Sequence, residues 1–173
     1  HTHHAATEIN MAYQIGIIKD NKGASFAPDT PIMYEQALSM LIRALGHSER
    51  VKYMGGYLIT ASSLGMTKNI KCALTDTLQQ KHIAQLLFNC LEIECVLHVY
   101  DGLAYEDSMD KKVMSSILKL KKGKGIIDCN SFTGLSKPSS LRQNQVSING
   151  EIYESGQTDA QNLLGYNVEY YYR

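Results

Sequence analysis

Ala12-Tyr13-Gln14-Ile15-Gly16-Ile17-Ile18-Lys19 and Ala61-Ser62-Ser63-Leu64-Gly65-Met66-Thr67-Lys68 are the stretches that decide the fold. Each is the end of an apolar helix stripe closed by a Gly-Ile or Gly-Met turn. Each is followed by a loop, Asn21 to Pro31 or Asn69 to Thr77, and then by a second apolar helix. Those second helices read Ala37-Leu38-Ser39-Met40-Leu41-Ile42-Arg43-Ala44-Leu45-Gly46 and Ile83-Ala84-Gln85-Leu86-Leu87-Phe88-Asn89-Cys90-Leu91. Gly16 and Gly65 stand 49 residues apart. Self-similarity at such a period predicts stacked supersecondary units that bury their apolar faces only by packing on one another. Repeated helical hairpins bind or anchor more often than they catalyse.

Working outward, Ala5, Ile9, Ala12 and Ile15 fall at helical spacing, so residues 5–15 are expected to be an amphipathic helix stopped by Gly16. Asp29 or Thr30 is expected to cap the next helix, with Pro31 in its first turn, and Gly46 to end it. Thr75 or Thr77 is expected to open the fourth helix, which runs to about Leu91. After Glu92 the texture changes. Val96 to Tyr100, Gly125 to Cys129, Gln145 to Ile148 and Asn167 to Tyr172 read as strands, with Met114 to Leu120 a short helix. Asn149-Gly150 is a two-residue hairpin signal, because both central positions need positive φ. Asp159 to Leu164 reads as a short capped helical turn. The expected class is α+β: two helical-hairpin repeats (about 1–48 and 49–94), then a small β-rich module over 95–173.

The 173 residues are 44% hydrophobic, enough for a core, and carry 17 basic against 17 acidic side chains. Zero net charge argues against general attraction to nucleic acid or anionic membrane. Lys119 to Lys124 is a local basic run, expected to be a solvated loop because neither aromatic residues nor Arg interleave with it. No run approaches the roughly 20 apolar residues of a membrane span, and no signal peptide is visible. The chain opens inside a helical pattern and closes on Val168-Glu169-Tyr170-Tyr171-Tyr172-Arg173, so it is expected to be an excerpt of a longer protein. Cys72, Cys90, Cys95 and Cys129 form no C-x-x-C pair and are expected to be free thiols, with Cys90 buried.

Over its first 92 residues the chain resembles S-layer homology repeats, the modules that tether bacterial surface proteins to cell-wall polysaccharide. The likeness rests on His4-Ala5, on Ala12 to Lys19, on the loop Phe26-Ala27-Pro28-Asp29-Thr30-Pro31-Ile32 and on Ala37 to Leu45. In the second copy it rests on Gly56-Tyr57-Leu58, Ala61 to Met66 and Ala84 to Leu91. Gly125-Ile126-Ile127, Ile148-Asn149-Gly150 and Leu163-Leu164-Gly165-Tyr166-Asn167-Val168 resemble the β-rich segment that follows such repeats in clostridial surface proteins. The resemblance implies an extracellular location on the bacterial surface, polysaccharide as partner together with other domains of the parent protein, and no cofactor. It also implies three repeats around an axis, of which two are visible. The family's Ile-Thr-Arg-Ala-Glu motif stands here as Ile32-Met33-Tyr34-Glu35-Gln36 and Leu78-Gln79-Gln80-Lys81-His82. Neither copy keeps the Arg, and the chain has no Trp.

The matched positions give the carbohydrate-binding candidates. Tyr34 would stack on a sugar face while Glu35 and Gln36 bind hydroxyls; equally, Tyr34 could cap the core with Glu35 and Gln36 as first-turn residues. Gln80 and Lys81 hold the same place in the second copy. Arg43 is a candidate anion contact whose stem could instead cover apolar surface. His1, His3 and His4 could gather a metal or be terminal residues. Glu106 to Asp110 lacks the register and central Gly of a calcium loop, which leaves a solvated loop. No nucleophile elbow, zincin or P-loop motif is present, and no catalytic residue or metal site is assigned. The expected function is non-catalytic anchoring or scaffolding of an envelope protein. A purely structural module, or the non-catalytic part of a surface enzyme, are the alternatives.

Overall fold

The computed structural model describes residues 3–19, 26–54, 56–100 and 105–173. The first five helices are α1 (Ala6–Gln14), α2 (Tyr34–Ala44), α3 (Ser48–Met54), α4 (Tyr57–Ser63) and α5 (Gln80–Cys90). A hairpin of β1 (Glu94–Tyr100) and β2 (Tyr105–Lys112) follows, then a π-helical turn at Val113–Ile117. The rest of the chain holds β3 (Lys121–Cys129), β4 (Gln145–Ile148), β5 (Glu151–Glu154) and β6 (Asn167–Tyr172), with a 3-10 turn at Asp159–Asn162. The class is α+β, helical in its N-terminal part and β-rich in its C-terminal part.

Two compact units result, His1–Leu118 and Lys119–Arg173. The division falls well after residue 94, where the change of texture was expected to mark it. The cause is that β1 stays with the helices. Val96 donates its N–H to the Leu45 carbonyl at 2.9 Å, Met114 donates to Leu91 at 3.0 Å, and Cys95 and Val113 pack against the helical core. Gly46 sits at this junction with φ +80, where a Cβ would overlap the Val96 carbonyl.

Within the first unit, α1 and α2 correspond to α4 and α5. Gly16 (φ +77) and Gly65 (φ +79) end the first helix of each copy. Ile17 donates to Ala12 at 2.9 Å and Met66 to Ala61 at 2.9 Å, the wide backbone bond of a left-handed helix stop. α2 and α5 are both 11 residues long and begin 46 residues apart. Both start later than expected. Met33 and Thr77 pair as an antiparallel bridge, Leu78 donates to Ile32 and Tyr34 to Asp76. The two loops therefore hold each other extended, so Pro31 and Thr77 lie outside the helices. The core gathers Leu38, Ile42, Ala61, Met66 and Leu86 among others.

In the second unit the strand order is β5-β4-β3-β6, antiparallel throughout. Asn149 (φ +51) and Gly150 (φ +87) make the tight turn between β4 and β5, as both residue types allow. Ile127, Val146 and Ile148 form the core under Ala160, Leu163 and Leu164. The basic run is not a loop. Lys121, Lys122 and Lys124 lie on β3, paired with Tyr172, Tyr171 and Glu169. All three lysines are exposed: alternation puts Lys122 and Lys124 on the face opposite buried Gly125 and Ile127, and Lys121 shares the buried face but lies at the exposed start of the strand. Glu106 to Asp110 likewise belongs to β2 rather than to a loop.

Candidate functional site

The sequence candidates separate into two groups. Tyr34 is only 3% exposed and packs in the core of the first unit. Burial raises its hydroxyl pKa, and its ring has no face open for a sugar, so the stacking role expected of Tyr34 does not fit its position. Tyr34 is the first residue of α2, next to the Met33–Thr77 bridge, and its N–H is held by the Asp76 carbonyl at 2.9 Å. Glu35 and Gln36 remain exposed beside it. Gln36 acts within its own helix end, where its Oε1 accepts the Met33 N–H at 3.0 Å and relieves one of the unpaired first donors. His82, the equivalent residue of α5, accepts the Gln79 N–H at 3.4 Å through Nδ1, with Cys72 Sγ at 3.5 Å from the same nitrogen. Gln80 and Lys81 are exposed at the start of α5.

Arg43 is half-buried and heavily engaged. Its Nε donates to the Ile17 carbonyl at 2.6 Å, one amino group donates to Ser39 Oγ at 3.3 Å and the other lies 3.5 Å from the Tyr57 hydroxyl. Its counterpart in the second copy is Asn89, which donates to the Met66 carbonyl at 2.8 Å and accepts from Gln85 at 2.9 Å. Ile17 and Met66 are themselves equivalent, as are Ser39 and Gln85. The pair at 39 and 43 and the pair at 85 and 89 thus do one job: a side chain on the second helix ties down the carbonyl just after the glycine stop. Gln85 and Asn89 were missed in the sequence. Spacing equal to that of Ser39 and Arg43 is the signal that could have found them.

Gln36, Ser39 and Arg43 line one side of a half-open groove of about 470 Å³, and Lys19, Phe26 and Pro28 line the other. Phe26 is half exposed. Two cations, an amide, a hydroxyl and an aromatic ring converge there, a set able to hold a hydroxylated, anionic ligand. Asn21 to Ser25, part of the same loop, lies outside the described residues.

A second concavity of about 740 Å³ belongs to the other unit. Tyr153, Tyr170 and Tyr172 form one wall, with ring centroids 5.0 to 5.6 Å apart. The Tyr153 hydroxyl donates to Glu151 at 2.6 Å and accepts from Tyr170 at 3.2 Å. The bond to Glu151 and the one from Tyr170 together push its pKa well up.

Elsewhere, His47 is 3% exposed. Its Nε2 lies 2.7 Å from the Glu94 carbonyl and must donate to it, which leaves Nδ1 as a buried acceptor with no partner. Burial lowers its pKa below the ordinary histidine value. All four cysteines are free, and burial pushes Cys90 up to about 11. His3 stacks on His4 at 4.3 Å and meets Asp29 at 3.3 Å, while His1 lies outside the described residues. Among the described residues no three His, Cys, Asp or Glu side chains gather as metal ligands, and no helix is long and apolar enough to cross a membrane.

The chain is similar to a cell surface protein of Thermoanaerobacter kivui, with 32% identity over 100 residues. The match covers 58% of this chain and 13% of that protein's length. No family model matches the chain. No solved structure matches it either.

Proposed function

We propose that this chain is a non-catalytic cell-surface module. In this reading it anchors or scaffolds a larger envelope protein, and its helical unit holds cell-wall polysaccharide. The similarity to a surface protein supports the location. The observation that carries the binding reading is the groove between the Phe26–Pro28 loop and α2, where Lys19 and Arg43 bring positive charge beside Gln36, Ser39 and a half-exposed Phe26. The S-layer-homology resemblance supplies the ligand class. Its Arg motif is replaced, so the charge comes from elsewhere in the repeat.

Calorimetric titration with purified, acidic cell-wall polysaccharide tests this. Binding should weaken several-fold in Lys19→Glu and fade as salt rises. Binding unchanged in Lys19→Glu would remove the groove from the account.

A structural module without glycan binding is the second reading. It is favoured by one specific observation: Arg43 is committed to the Ile17 carbonyl, as Asn89 is to Met66. In that case the titration gives no heat.

A further inference from the structure

Where β1 meets the end of α2, a buried histidine stands inside the junction. The backbone N–H of His47 closes the helix end on the Ile42 carbonyl at 3.0 Å. Its ring reaches across to β1, where Nε2 meets the Glu94 carbonyl at 2.7 Å. Two residues on, Val96 donates its N–H back to the Leu45 carbonyl, so the helix end and β1 exchange a bond in each direction. Ile93, Val96 and Met114 are buried with the ring.

Nε2 must carry a proton to bond a carbonyl, so a second proton can enter only at Nδ1. Nδ1 is buried and has no hydrogen-bond partner among the described residues. A cation formed there would gain an N–H with nothing to accept it, shielded from solvent. The charged groups acting on the ring oppose each other: Arg50 of α3 repels the cation and Glu94 of β1 attracts it. Beside them, Lys52 of α3 pairs with Glu49 at the surface, and Arg43 of α2 is tied to Ile17. On β2, Lys112 and Lys111 stand opposite Glu94 and Cys95 in register. Burial raises the Cys95 thiol, which therefore stays uncharged in acid. We infer that His47 is an acid-sensitive latch: a proton on Nδ1 drives the ring out of the junction and frees the β1–β2 ribbon while the helices stay folded. The ribbon is separable because its own pairing lies within it, from Glu94 opposite Lys112 to Tyr100 opposite Tyr105, and α2 packs on α4 without it. A segment held by few buried contacts opens below the free energy of global unfolding. The released ring regains the ordinary pKa of 6.5, while burial keeps the docked ring below it. Docking is therefore full above pH 6.5 and weakens as pH falls below it. One proton is taken up per opening, so the open fraction grows by at most about tenfold per pH unit.

Amide hydrogen exchange, read by NMR on the chain from pH 7 to pH 5 and corrected for its intrinsic pH dependence, tests this. His47→Gln is the companion variant: it keeps an N–H donor for the Glu94 carbonyl but takes up no proton, and circular dichroism checks its helices. In the unmodified chain, opening at the Val96 and Met114 amides should rise several-fold over this range, ahead of the amides of α2 and α5. In His47→Gln it should stay flat. Flat opening at Val96 in the unmodified chain overturns the inference, as does an equal rise in His47→Gln. A rise that α2 shares in full overturns it too, because it would mean that the whole unit unfolds. Should His47→Gln lose its helices, the pH series of the unmodified chain decides between these outcomes.

Discussion

The two helical hairpins share their internal fastenings and differ in their surfaces. Each has a glycine stop, a side chain from the second helix tying the carbonyl after that stop, and a third-residue acceptor on its N-cap donor. The side chains differ between the copies, but they answer the same open backbone groups, so the fastenings recur in both. The outward faces have no such constraint. Leu38 and Ile42 are fully buried where Ala84 and Phe88 are exposed. A repeat thus fixes its hairpin locally, while burial is decided by what stands next to it.

The sharpest way to break this comparison is at the glycines. Gly46→Ala forces a side chain into the left-handed region and against the Val96 backbone, and should cost about 3 kcal/mol or more. Gly16→Ala and Gly65→Ala meet open space, so each should cost only the roughly 1–2 kcal/mol of the conformation. Urea titrations of the three variants check the ranking. Equal losses at all three sites would mean that the β1 junction is loose.

Next in size are the helix faces. Leu38→Ala should lose about 2–5 kcal/mol, as a fully buried leucine does. Leu87→Ala should stay within roughly 0.5 kcal/mol. Chemical denaturation separates them, and similar losses would show that α5 buries the same face as α2. Smaller still, Gln36→Ala removes the acceptor for the Met33 N–H and should cost about 1 kcal/mol. His82→Ala removes the longer, weaker bond of the second copy and should cost less.

His47 adds a pH dependence. Its folded pKa lies below the ordinary 6.5 because burial penalises the cation. Below pH 6.5 the unfolded chain binds a proton that the folded one refuses, so stability falls as pH drops through that value and is unaffected above it. Melting curves of the unmodified chain and of His47→Gln between pH 8 and 5 should diverge in slope, the variant having lost this contribution to the fall.

Much of this was legible in the sequence, for physical reasons. Gly16, Gly65 and Asn149-Gly150 announce backbone conformations that few other residues adopt, and Asn167 to Tyr172 forms the strand expected of it. The helix starts were not legible. Asp29, Thr30 and Pro31 are good local caps, but the bridge between Met33 and Thr77 delays both helices, and a long-range pairing leaves no local mark. Lys119 to Lys124 failed similarly, because its strand is specified by the partner β6. At the candidate site, resemblance pointed to the start of α2 and so to Tyr34, which belongs to the core. Gln36 and Arg43 do line the groove, but the tie between Arg43 and Ile17 spans 26 residues and needed the fold to be seen.

The measurement that tests the central claim most directly is co-sedimentation of the chain with Gram-positive cell walls, before and after their secondary polysaccharide is stripped. The account predicts that the chain pellets with intact walls, stays in solution with stripped ones, and is released by salt. Pelleting that survives stripping, or no pelleting with intact walls, would contradict polysaccharide anchoring.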